Sequence, residues 1–162
     1  MSQSFDVSLQ ITSPVKWYHL PAEDAALVWR DLVPWVHWLV ERFAIPATLL
    51  PSCWHTHPRI VEELTALWTA YEVMYDLTSP GSSPVSWLRE LEWTLGRIRA
   101  ATATTGCTPR EHRPDRIETW TGDPDYHEQL GRSMDADYQR REEDLAALAR
   151  ARFSTGEEDE TS

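Results

Sequence analysis

Apolar and polar positions alternate at the start of the chain. Phe5, Val7, Leu9 and Ile11 are separated by Asp6, Ser8 and Gln10, the period of two that a half-buried strand requires. Thr12-Ser13-Pro14 predicts a turn, and the β-branched and aromatic Val15-Lys16-Trp17-Tyr18 predicts a partner strand that closes a hairpin. From Leu20 the period lengthens. Pro21, followed by Glu23 and Asp24, reads as a helix start, and a helix is expected over about 22–43. Pro34 lacks the N–H that would bond to residue 30, so the pattern predicts a break there and a restart with Asp31 as N-cap. Beyond it Trp35, Trp38, Leu39 and Phe43 form one apolar face.

After a loop over Ala47–Cys53, Thr56-His57-Pro58 predicts the cap and first turn of a long helix. Val61, Leu64, Trp68, Tyr71 and Tyr75 recur along it every three or four residues, with Glu62, Glu63 and Glu72 off that line. Thr78-Ser79-Pro80-Gly81 breaks the pattern. Ser83-Pro84 opens the next helix, whose buried line is expected at Leu88, Leu91, Leu95 and Ile98 with Trp87 beside it, so the two helices should form a hairpin. Residues 102–123 have no usable period and several turn formers. A last helix is expected over 123–153 on the rough spacing of Tyr126, Leu130, Met134, Tyr138, Leu145 and Leu148. Its polar interior predicts a protruding arm, and STGEEDETS predicts a disordered acidic tail.

These patterns predict a mainly α fold, a core of three or four helices with a short N-terminal strand or hairpin and a protruding C-terminal helix. The expected divisions are 1–20, the helical core at 21–112, a connector at 113–122, the acidic helix at 123–153 and the tail at 154–162. The 162 residues suit one domain. The net charge of −11, of which residues 123–162 carry −7, disfavours a phosphate backbone or an anionic membrane surface as partner. No apolar run reaches membrane-spanning length and the first residues lack a signal-peptide pattern, so a soluble cytoplasmic protein is expected.

Nine tryptophans are an unusual share for a chain of this size. Trp35, Trp38, Trp68 and Trp87 fall on or beside predicted buried faces. Trp29, Trp93 and Trp120 do not, and they are the candidates for a surface that meets a protein partner.

The residues best suited to chemistry are Cys53, His57, Cys107 and His112. Thiolate and imidazole are zinc ligands, and two ligands from each of two loops is the usual division of a closed tetrahedral site. Three residues separate Cys53 from His57, four separate Cys107 from His112, and His55 could substitute for His57. The competing reading is two buried free thiols with histidines that satisfy backbone groups; a disulfide is disfavoured without an export signal. His55-Thr56-His57-Pro58 also resembles the zinc segment of the JAMM isopeptidases, which would imply a metal-dependent hydrolase using His55 and His57. That family's pattern continues with Ser and Asp where this chain has Ala66 and Thr69. No Gly-rich phosphate loop, nucleophile elbow or EF-hand loop is present. A second alternative, a DNA-associated protein, would use the arginines over 89–116, which are interleaved with Glu90, Glu92, Glu111 and Asp115.

Trp35-Val36, Cys53-Trp54 with His57-Pro58, Leu64-x-x-Leu67-Trp68, Ser86-Trp87-Leu88-Arg89 and Gly106-Cys107 with His112 resemble, in this order, a family of actinobacteria, their plasmids and phages known only as a domain of unknown function. The resemblance covers about residues 32–112. In that family more residues separate the Cys from the His-Pro, a stretch here reduced to Trp54-His55-Thr56. It implies a small cytoplasmic protein of mobile elements with no assigned reaction. The expectation is therefore a non-enzymatic accessory or adaptor protein acting by protein contacts, with no cofactor or one structural zinc.

Overall fold

The computed structural model describes residues 13–156, with side chains through residue 152. It is built from four helices: α1 (Ala22–Arg42), α2 (Pro58–Met74), α3 (Ser83–Thr105) and α4 (Pro124–Gly156). The expected mainly α architecture is present. Phe5–Ile11 lies outside the described residues. The expected partner strand is not formed: Trp17–His19 is a single 3-10 turn. Its indole N–H explains this, because Trp17 Nε1 donates to Thr65 Oγ1 on α2 at 3.1 Å and so ties the segment to a helix.

Helix α1 does not restart at Pro34 but runs unbroken through it. Val28 and Leu32 before the proline, and Trp35, Val36 and Leu39 after it, are all buried on the same side. Each contributes roughly 1.5–3 kcal/mol by leaving water, which together exceeds the ~3 kcal/mol that an interior proline costs. Asp31 caps nothing and instead accepts from Arg30 at 2.8 and 3.1 Å.

Helices α2 and α3 pack along each other and α1 lies against α2. Contacts show the α2–α3 pair to be antiparallel. Trp87, near the start of α3, donates to the Leu67 carbonyl near the end of α2 at 3.2 Å, and Arg97 further along α3 meets Glu63 nearer the start of α2 at 2.7 Å. The buried line of α3 differs from the expected one. It consists of Trp87, Leu91, Thr94, Ile98, Ala101 and Thr102, while Leu88 is exposed and Leu95 only half-buried. A fully buried Trp87 turns the helix to bring its large indole inward, and this rotates Leu88 out.

Around Trp87 gather Phe43 at 5.8 Å, Tyr71 at 5.2 Å and Tyr75 at 5.7 Å between ring centroids, so one aromatic group joins α1, α2 and α3. Trp38, Phe43 and Tyr75, expected in the core, lie at its rim, each more than a third exposed. A second aromatic row, Trp17–Trp29–Trp54, with centroids 5.3 and 5.9 Å apart, links the first turn and α1 to the loop before α2.

The described residues divide into two compact units between Arg116 and Ile117. In the second, Asp123 Oδ1 accepts from the Asp125 N–H at 2.9 Å, the side-chain cap that starts α4. This helix continues to Gly156, three residues beyond its expected end; 157–162 lie outside the described residues. Its apolar stripe of Leu130, Met134, Tyr138, Leu145 and Leu148 is exposed, and Trp120 packs edge-on against Tyr126 at 4.7 Å. Among the described residues no helix is long and apolar enough to cross a membrane.

Candidate metal centre

Two short segments of the first unit converge at the ends of α2 and α3, each shaped by local backbone rules. His57 precedes Pro58, which excludes it from the helical region. It is extended at φ −110°, ψ 99°, and α2 begins at the proline. Its carbonyl accepts from the N–H groups of Ile60 and Val61 at 2.9 and 3.0 Å. Just before it the 3-10 turn Trp54–Thr56 is held inward by the buried Trp54. This turn brings Cys53 back over His57, and the Thr56 hydroxyl fixes it by donating to the Cys53 carbonyl at 2.7 Å.

At the other end, α3 stops at Gly106, whose φ of 74° is the left-handed conformation that glycine adopts without Cβ strain. Cys107 follows directly. Thr108 and Glu111 then pair through two backbone hydrogen bonds of 3.0 and 3.3 Å, a tight turn that returns the chain so that His112 and Arg113 face Cys107.

The result is a cluster of Cys53, His57, Cys107 and His112 whose ligand atoms all lie within 4.8 Å of one another. His57 Nε2 is 3.5 Å from Cys53 Sγ and 3.2 Å from Cys107 Sγ, and His112 Nδ1 is 3.8 Å from Cys107 Sγ. Tetrahedral zinc with ordinary Zn–S and Zn–N bonds requires sulfur–nitrogen edges of about 3.5 Å. His57 is 1% exposed, the cysteines are half-buried and His112 is at the surface. Both cysteines are free. Comparison of the chain with protein-family models, with curated proteins and with solved structures gave no match, so the chemistry of the cluster has to be read from its own geometry.

The two thiols differ. Burial raises the Cys53 pKa, as do its hydrogen bond and charge interaction with Cys107. Desolvation pushes Cys107 upward too, but the Arg113 backbone N–H, the Thr105 hydroxyl, Cys53 and His112 stabilise its thiolate and bring its pKa down to about 6. The Arg113 N–H lies 3.2 Å from this sulfur. One sulfur is thus set as thiolate near neutrality, the form that binds metal.

His55 stands outside the cluster, exposed and edge-on to Trp54 at 6.0 Å. Ala66 and Thr69 lie further along α2, where the Thr69 hydroxyl donates to the Thr65 carbonyl at 2.9 Å. The arginines of 89–116 are partly neutralised, Arg97 by Glu63 and Arg113 by Glu111. Trp29 is half-buried within the tryptophan row, whereas Trp93 and Trp120 are 72% and 53% exposed.

Sequence reasoning missed Asp115, which it counted only as a charge among arginines. Asp115 Oδ1 lies 2.9 Å from His57 Nδ1. It also missed Thr56, whose hydroxyl is 3.5 Å from His112 Nδ1. No spacing signal marks either one, because both contacts span more than fifty residues.

Proposed function

We propose that this protein is a non-enzymatic accessory or adaptor protein acting through protein contacts, and that one structural zinc on Cys53, His57, Cys107 and His112 fastens the loop before α2 to the connector after α3. The observation that carries this reading is the closeness of four soft ligand atoms from two loops, with edges near those of tetrahedral zinc. Four protein ligands fill the coordination sphere of zinc and leave no position for a substrate or an activated water. A catalytic centre needs that position. Assignment to a mobile genetic element rests on the sequence resemblance, and exposed Trp93 in the first unit and exposed Trp120 in the second are each proposed, separately, as a side chain for a protein contact.

Metal analysis of untagged protein tests the reading. About one zinc per chain is expected, lost largely in Cys53→Ala and in Cys107→Ala and retained in His55→Ala. Metal-free protein with two titratable free thiols, still metal-free after incubation with zinc, would refute the zinc assignment. Metal that survives loss of either cysteine but needs both His55 and His57 would favour a hydrolase instead.

A further inference from the structure

An imidazole can present a lone pair to a metal through only one nitrogen while the other carries the proton, and the partner of the second nitrogen decides which. In His57 the two nitrogens face different groups. Nε2 points to the sulfurs of Cys53 and Cys107, and Nδ1 lies 2.9 Å from Asp115 Oδ1. The ring is 1% exposed, so water has little access to replace either partner. A carboxylate that accepts a hydrogen bond from Nδ1–H keeps the proton on Nδ1 and leaves Nε2 with its lone pair directed at the two sulfurs.

We infer that Asp115 is a positioning residue of the metal centre, fixing the orientation and proton placement of His57 and thereby raising the affinity of the cluster for zinc. The inference rests on the zinc reading above. It also gives the connector a second attachment, since the four residues His112–Asp115 carry both a ligand and the carboxylate that orients another ligand. Over residues 108–116 every residue but Asp115 is exposed, so these attachments and the metal hold this segment in place of an apolar core.

The test is competition for zinc against a chelator of known affinity, using the full chain and its Asp115→Ala, Asp115→Asn and Asp115→Glu variants. Removal of an outer carboxylate typically weakens metal binding about 10–100-fold. That loss is expected for Asp115→Ala, with a smaller loss for Asp115→Asn, which keeps an acceptor without the charge, and partial recovery in Asp115→Glu. With cobalt in place of zinc, Asp115→Ala should shift the d–d bands while the sulfur-to-cobalt charge-transfer band remains. An Asp115→Ala protein that is folded and binds zinc within about twofold of the parent would overturn the inference. Should the variants fail to fold, nitrogen NMR of the His57 ring in the zinc-loaded parent decides: Nδ1 protonated and Nε2 bound to metal is expected, and the reverse would overturn it. If the parent itself binds no zinc, the reading of the site fails, a result distinct from a parent that binds and variants that bind equally well.

Discussion

His57 Nε2 and Cys107 Sγ lie 3.2 Å apart although fifty positions separate them. The antiparallel packing of α2 and α3 makes this meeting: pairs such as Glu63–Arg97 and Leu67–Trp87 set a register that brings the residue before α2 against the residue after Gly106. The geometry of the cluster therefore depends on that hairpin.

The unequal thiols give a pH signature in the metal-free protein. Cys107, lowered to about 6, should react with iodoacetamide half-maximally near that pH, while Cys53, raised above its ordinary value, should stay slow until strongly alkaline conditions. The sign for stability follows. The folded state of Cys107 favours the thiolate, so its contribution is full above the ordinary value of 9.0 and is lost as pH falls through 6. Cys53 acts oppositely, its contribution full below 9.0 and lost as pH rises through its higher folded value. Mass-resolved alkylation across pH 5–10 measures the first effect, and zinc should protect both thiols.

Trp87→Ala should be among the most damaging core substitutions. The side chain is fully buried, touches three aromatic rings and donates to the Leu67 carbonyl. Truncation of a buried Trp costs about 3–5 kcal/mol. Trp87→Phe should cost less, because the Leu67 carbonyl keeps its partner within α2. Urea unfolding curves give both values.

Pro34→Ala should stabilise the protein. Pro34 is exposed, so no core contact is lost, and alanine restores the N–H that α1 lacks. Interior proline costs about 3 kcal/mol, offset in part by the ~0.4–1 kcal/mol gained by a freer unfolded chain. The difference, a net gain of about 2–2.6 kcal/mol, should raise the melting temperature by several degrees. No rise would show that the helix is already relieved at the proline.

Gly96 and Gly106 should respond in opposite directions to alanine. An added Cβ at Gly96, inside α3, meets nothing within 4 Å, and Gly96→Ala should gain about 0.5–1 kcal/mol. Gly106 has φ +74°, where alanine is strained by roughly 1–2 kcal/mol. Gly106→Ala should destabilise the chain and, by displacing Cys107, weaken zinc binding. Thermal melts with and without zinc separate the two effects.

Local signals were enough to place the helices of the fold and to name the residues of the cluster. Period, proline starts at Pro58 and Pro84 and the stop at Gly106 are local signals, written in φ preferences and side-chain spacing, and they placed α2 and α3 closely. Cys53, His57, Cys107 and His112 could be grouped because Cys and His occur together in the two loops, with His55 as the one alternative to His57. Packing between distant segments set the remaining features. Pro34 stays within α1 because burial on both sides of it outweighs one lost hydrogen bond. Leu88 turns outward because Trp87 claims the interior, and Trp17 leaves the strand pattern to donate to Thr65. His57 was chosen over His55 by the turn at Trp54–Thr56, which a local spacing rule cannot resolve. Asp115 was hidden for the most general reason: a hydrogen bond across 58 residues exists only after the helices pack, and no periodicity records it.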